Sequence, residues 1–332
     1  MQTKTDETCI QVKDIHTSFY TDRGIVRSVR GVSFEVKKGE MLGVVGESGC
    51  GKSITAFSVL NQVKRPGRID SGEVLFHGVD LLQLSEQEMR RIRGSKLSMI
   101  FQEPLTALNP AFTIGWQIGE SYRIHGVRDK KLIRDKTIDI LERVKLPDPE
   151  RRMKEYPYQF SGGMRQRALI ALALACQPEL VFADEPTTAL DVTVQSEILD
   201  LLQSLQAYYN MSVVLISHNL NLIGERCARM LVLYAGKIVE EAPTAELFRH
   251  PAHPYTAGLL GSLLSVNQKE KTALHTMKGE VPDLTKPIAG CSFAPRCAYA
   301  GKACLEREPP RVEIAPGHSC SCHRYQEGAS NE

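Results

Sequence analysis

Gly46-Glu47-Ser48-Gly49-Cys50-Gly51-Lys52-Ser53 fits the phosphate-binding loop pattern G-x-x-x-x-G-K-S. Glycines at 46, 49 and 51 permit a tight curl that turns backbone N–H groups inward onto phosphate oxygens. The helix start that follows adds the positive end of its dipole. Lys52 is placed to reach the β- and γ-phosphates, and the Ser53 hydroxyl to ligate Mg²⁺. Cys50 reads as a small residue inside the loop, since no activating base stands beside it.

Leu180-Val181-Phe182-Ala183-Asp184-Glu185 is an apolar run that ends in two acids. Asp184, at the carboxyl end of a strand, suits Mg²⁺ held through water, and Glu185 can polarise an attacking water. A third constellation is Phe160-Ser161-Gly162-Gly163-Met164-Arg165-Gln166-Arg167, just before the apolar helix Ala168–Ala175. Ser161 is a good N-cap, and two glycines leave the helix start open to a phosphate. One nucleotide cannot easily use two helix starts so far apart in sequence. The second anion site makes physical sense if it serves the nucleotide of a partner subunit.

Elements of the right kind flank these residues. Met41–Val45, Leu97–Phe101, Leu180–Ala183 and Val213–Ile216 are short apolar runs suited to central strands covered on both faces. Ile10–Val12, Val29–Val36 and Glu73–Phe76 alternate like half-buried strands and suggest an antiparallel layer. Helical stripes run through Ile133, Thr137, Ile140, Leu141 and Val144, and through Val194, Ile198, Leu201, Leu202 and Leu205. Ser85 with Glu88 forms a capping-box pattern. Strands alternating with helices give an α/β class.

Composition narrows the function. The 332 residues are 42% apolar and 24% charged, which excludes wholesale disorder. Lys plus Arg total 41 against 39 Asp plus Glu, a net charge of +2 that gives no reason to expect a nucleic-acid partner. The longest apolar run, Ala168–Cys176, is far short of the roughly 20 residues of a spanning helix. Met1–Glu7 is polar, without the apolar centre of a signal peptide, so a cytosolic chain is expected. Eight of the 17 prolines lie from Pro251 onward, and a soft boundary falls near Ser265–Lys271, followed by an irregular tail. Five of nine cysteines lie between Cys291 and Cys322, which in a reducing compartment reads as metal ligation sooner than disulfides. Their spacing is Cys291-x5-Cys297-x6-Cys304-x17-Cys322, with Cys320 as a fifth candidate. Four thiolates suit either zinc or a cubane cluster, and a Pro-rich tail needs the folding free energy that a metal supplies. Cys9, Cys176 and Cys227 read as buried small apolar residues.

Taken in order, these motifs resemble the ATPase subunits of ABC transporters over nearly the whole chain. The order is phosphate loop, Gln102, Ser161-Gly162-Gly163, Asp184-Glu185, Ala189-Leu190-Asp191, then His218. The resemblance implies an ABC ATPase fold: a phosphate-loop core sheet, an antiparallel β layer and a helical subdomain at about 103–175, all within 1–265. It implies ATP and Mg²⁺ as ligands, with Ser53, Gln102 and Asp184 around the metal. Gly46, Ser48, Gly49, Cys50, Gly51, Lys52 and Ser53 would hold the phosphates, and Phe19 or Tyr20 would stack on adenine. Glu185 would be the general base, His218 the switch residue at the γ-phosphate, and Asp191 the link between subunits. Phe160 and Met164 depart from the commonest signature, in which Leu and Gln stand there, but Ser161 and both glycines remain.

His250-Pro251-Ala252-His253-Pro254-Tyr255-Thr256, the segment Phe101–Pro110 and the cysteine tail are similar to the dipeptide and oligopeptide importers, with nickel importers as relatives. This implies an ATPase that energises import of di- or oligopeptides from the cytoplasmic face of the membrane. The alternatives are a nickel or other small-solute importer, or a non-transport ABC ATPase. A head-to-tail dimer with a homologous second ATPase or with itself is implied, together with two permease subunits and an extracytoplasmic binding protein. Residues 266–332 would form a C-terminal extension in which Cys291, Cys297, Cys304 and Cys322 hold a [4Fe–4S] cluster, with Zn²⁺ as the alternative.

Overall fold

In the computed structural model, residues 8–188, 190–262, 277 and 279–326 are described. The soft boundary near Ser265–Lys271 lies outside them, as does Ala189. Twelve strands are present among the described residues. They are β1 (Thr8–Thr21), β2 (Gly24–Lys37), β3 (Met41–Val45), β4 (Gly67–Phe76), β5 (Val79–Asp80) and β6 (Leu97–Ile100). After these come β7 (Leu180–Asp184), β8 (Ser212–Ser217), β9 (Arg229–Tyr234), β10 (Lys237–Pro243), β11 (Val312–Ala315) and β12 (His318–Cys320). The chain divides into two compact units, one built mainly from Glu35–Met41 and Phe76–Ile216, the other from Gln11–Phe34, Leu42–Leu75 and the chain from Ser217 onward.

In the first unit β6, β7 and β8 run parallel, with Leu97 opposite Leu180 and Leu180 opposite Ser212. Every residue of the three strands is buried, as a continuous apolar run without alternation requires. Between β6 and β7 the chain forms helices, of which Ile114–Ile124, Lys130–Arg143 and Gly162–Leu174 are the longest. The stripe read in the second of these is buried at Ile133, Thr137, Ile140 and Leu141. The helix Val192–Tyr209 buries Ile198, Leu199, Leu201, Leu202 and Leu205 on one face. The Ser85–Glu88 capping box forms in full.

The second unit pairs β3 with β9 in parallel, Leu42 opposite Arg229. β9 turns back into antiparallel β10 through Ala235 and Gly236, both at positive φ (46° and 81°), as a two-residue hairpin turn demands. β2, β1 and β4 lie side by side in that order.

The tail departs from the irregular structure expected of it. β11 and β12 form an antiparallel hairpin, and β12 adds to β10 with Glu240 opposite Cys320. Strands of four and three residues are too short for alternation to be read; they exist because an open sheet edge offers them hydrogen bonds. Among the described residues, no helix is long and apolar enough to cross a membrane.

Candidate active site

The phosphate loop leaves β3 at Gly46, where φ is +153° and a Cβ would collide with the Leu233 carbonyl. Gly51 has φ +103° and faces the Ser28 carbonyl in the same way, so a side chain is excluded at both ends of the curl. Helix Lys52–Val59 starts at Gly51, which has no side chain to cap it. Lys52 is 5% exposed, and its ammonium donates to the carbonyls of Gly46 at 2.8 Å and Glu47 at 3.0 Å. Ser53 is half-buried in the first turn, while Ser48 and Gly49 are exposed. Cys50 is buried and burial raises its thiol pKa, so it is a packing residue of the loop, as its surroundings in the sequence suggest.

Tyr20 is exposed and Phe19 half-buried. The Tyr20 hydroxyl donates to Asp70 at 2.8 Å and accepts from Arg68 at 2.7 Å, and the Arg68 guanidinium lies 4.6 Å above the ring. His218 is exposed and directly follows β8.

In the first unit, β7 delivers Asp184, 4% exposed, and then Glu185, whose φ of +44° is unusual for a residue with a side chain. The Glu185 amide donates to the Ile216 carbonyl at 3.0 Å, which holds the backbone in this conformation. One oxygen, Oε2, accepts from Gln102 Nε2 at 3.0 Å and from the Thr188 hydroxyl at 2.8 Å. Gln102 reaches it because β6, next to β7, ends two residues earlier. Thr188 was not singled out in the sequence, and neither was Gln195. The Gln195 amide donates to the Thr187 and Leu190 carbonyls at 3.1 and 2.9 Å and so gathers the segment after Glu185. Asp191 is exposed and N-caps the helix Val192–Tyr209, accepting from Val194 at 3.0 Å.

Ser161 caps the helix Gly162–Leu174 by accepting from Met164 at 3.3 Å, and Ser161 and Gly162 are exposed. Phe160 is buried, so its ring anchors the segment from inside. A cavity of about 260 Å³ is lined by Gln102, Leu105, Gly162, Gln166, Pro186 and Leu190. It brings the glutamine segment and the start of the signature helix to one place.

The His-Pro-Ala-His-Pro-Tyr-Thr segment serves the second unit. Ala252 and His253 donate backbone N–H groups to the fully buried Glu240 carboxylate at 2.7 and 2.9 Å, and His318 sits 2.8 Å from the same group. His253 Nδ1 caps the helix Pro254–Gly261, and burial lowers its pKa to about 4. Tyr255, buried, accepts the Glu47 N–H of the phosphate loop at 2.8 Å. Glu240 and His318 carried no pattern of their own in the sequence.

Cys291, Cys297, Cys304 and Cys322 are half-buried, and the Cys291 amide donates to the Cys304 carbonyl at 2.8 Å. Burial, and then the neighbouring Cys304 and Cys322, raise the Cys291 pKa to about 11. Burial and then the thiols of Cys297 and Cys304 raise that of Cys322, so the four sulfurs share one neighbourhood. Among the described residues, no three His, Cys, Asp or Glu side chains are arranged as ligands of one metal ion. Cys320 is buried in β12. Cys9 and Cys227 are buried as expected, whereas Cys176 is only half-buried and donates to the Ser121 carbonyl at 3.6 Å.

Residues 29–188 match the family described as ABC transporter, and residues 239–304 match the oligopeptide/dipeptide transporter C-terminal region. A probable peptide ABC transporter ATP-binding protein of Sinorhizobium fredii is 48% identical over 96% of this chain and 95% of its own length. The dipeptide transport ATP-binding protein DppD of Bacillus subtilis is 45% identical over 95% of this chain and 94% of its own. Among solved structures, the dimeric ATP-binding cassette MJ0796 with ADP and Pi superposes with a TM-score of 0.64. It has 26% identity and covers 71% of this chain and 98% of its own. With the phosphate loop, the Asp184-Glu185 strand end and the capped Ser161-Gly162-Gly163 helix in place, the chain belongs to the ATP-binding proteins of ABC transporters.

Proposed function

We propose that this ATPase energises import of dipeptides or oligopeptides through separate membrane subunits that it contacts from the cytoplasmic face. The carrying observation is the match of 239–304 to the oligopeptide/dipeptide transporter C-terminal region, in a chain whose relatives named for peptide transport or import are 43–48% identical. In this reading 1–265 is the nucleotide-binding domain, with 103–175 as its helical subdomain, and 266–332 is the extension.

Two such subunits, identical or homologous, would close head to tail on ATP. The phosphate loop of one and the Ser161-Gly162-Gly163 helix start of the other would enclose the triphosphate. Lys52 and the loop N–H groups stabilise charge on the β- and γ-phosphates. A Glu185 oxygen takes the proton of the attacking water, with His218 holding the γ-phosphate side. Ser53, Gln102 and Asp184 offer a hydroxyl, an amide oxygen and a carboxylate, a donor set that fits Mg²⁺. The bound ion would neutralise phosphate charge. Tyr20, the more exposed of the two aromatics, is the one better placed to meet an adenine face.

Cys291, Cys297, Cys304 and Cys322 offer four thiolates, a donor set that suits a [4Fe–4S] cluster, with Zn²⁺ as the alternative. The cluster would supply folding free energy to a tail with little apolar core.

Co-expression with candidate permease and binding-protein subunits tests the transport reading. Co-purification with the permeases, and ATPase activity in proteoliposomes stimulated by peptide-loaded binding protein, are expected. A complex restricted to ribosomes or DNA would overturn it.

A further inference from the structure

Glu47 introduces a negative charge into the loop that must receive a triphosphate. It is the second residue of the loop, and its carbonyl accepts from the Lys52 ammonium at 3.0 Å. Its carboxylate is engaged from the far end of the chain. Arg296 Nη1 donates to Oε2 at 2.7 Å and Nη2 to Oε1 at 3.0 Å, a bidentate fork. The Arg296 side chain is 5% exposed, against 25% for Glu47. Arg296 is itself held: its amide donates to the Phe293 carbonyl at 2.9 Å, and Nη1 also reaches the Tyr234 hydroxyl at 3.4 Å. Phe293 packs edge-on to Tyr234, with centroids 5.2 Å apart, and against Tyr255 at 5.5 Å. Tyr255 in turn takes the Glu47 N–H at 2.8 Å. Glu47 is thus fixed at its backbone by Tyr255 and at its carboxylate by Arg296.

From this we propose that Arg296 is a positioning residue for ATP that acts through Glu47. It orients the first turn of the phosphate loop and neutralises a carboxylate that would otherwise repel the phosphates. Opposite charges at fork distance compensate one another, the more so because the arginine is buried and the carboxylate only partly exposed. Removing only the arginine leaves Glu47 uncompensated beside the ligand. Removing both leaves a neutral loop still tied by Tyr255. Arg296 needs no contact with nucleotide for this role.

The proposal rests on the loop being the ATP site, and one set of measurements separates the two claims. ATP affinity and the kcat–KM pair are measured on the full chain as wild type, Arg296→Gln, Glu47→Gln and the double variant. Arg296→Gln is expected to weaken ATP binding about tenfold and raise KM in parallel, with kcat within about twofold. The double variant is expected to recover to within about threefold of wild type. Wild-type affinity in Arg296→Gln would overturn the proposal. So would a double variant as weak as Arg296→Gln, because the loss would then come from damage to the tail rather than from a bare Glu47. Absence of ATP binding by the wild type would instead defeat the site assignment.

Discussion

Gln102 donates from Nε2 to Oε2 of Glu185 at 3.0 Å, across the neighbouring ends of two parallel strands. An amide has two faces of opposite polarity, so the same side chain that steadies a carboxylate through N–H can offer its oxygen to a metal. This relates Gln102, in the segment Phe101–Pro110 that resembles the peptide importers, directly to the proposed base. Movement of Gln102 would change what Glu185 is bonded to.

Gln102→Ala removes a donor to Glu185 Oε2. A hydrogen bond to a charged group contributes roughly 1.5–3 kcal/mol, so kcat for ATP is expected to fall tenfold or more. KM for MgATP is expected to rise as well, because Gln102 is also one of the three proposed Mg²⁺ donors. Steady-state ATPase assays at varied ATP check this, and an unchanged kcat would remove Gln102 from the catalytic apparatus.

Acid should destabilise the second unit through His253. Its pKa is lowered to about 4 by burial, against about 6.5 unfolded, so the unfolded chain binds the extra proton first. The contribution is complete above pH 6.5 and is lost as pH falls from 6.5 toward 4, in total roughly 3 kcal/mol. His253→Asn keeps an N-cap acceptor and is expected to flatten denaturant-derived stability over that window.

Glu240→Ala is expected to lower stability by about 3 kcal/mol or more. It strips the acceptor from two backbone N–H groups and from His318 in a fully buried site. Thermal unfolding of the variant checks this. A melting temperature equal to wild type would mean that the three donors find other partners.

Anaerobically purified chain should carry iron and sulfide near four of each per chain, with a broad absorption band near 400 nm, as a [4Fe–4S] cluster has. Cys297→Ser should lose both. Stoichiometric zinc without iron would give the four thiols the alternative metal.

The parallel strands β3, β6, β7 and β8 were legible because each is a short, continuously apolar run, and burial on both faces leaves that mark. The phosphate loop and the Ser161 cap were legible because glycine and serine have a local reason to stand where they do. Thr188 and Gln195 were not, because a side chain that bonds a nearby carboxylate or carbonyl leaves no period. Nor were the pairings of Tyr255 and Arg296 with Glu47, which lies 208 and 249 residues away along the chain. Pairings at that range are set by the folded sheet, not by local propensity. The β11–β12 hairpin escaped for the same reason, since its strands depend on the edge of β10.

The most direct measurement is single-turnover and steady-state ATP hydrolysis by Glu185→Gln beside ATP binding by the same protein. Glutamine keeps the size of the side chain but cannot take a proton from water at that oxygen. ATP affinity is predicted to stay within about threefold of wild type, while hydrolysis falls at least a hundredfold. Turnover near the wild-type rate in a variant that binds ATP normally would contradict the assignment of Glu185 as the base.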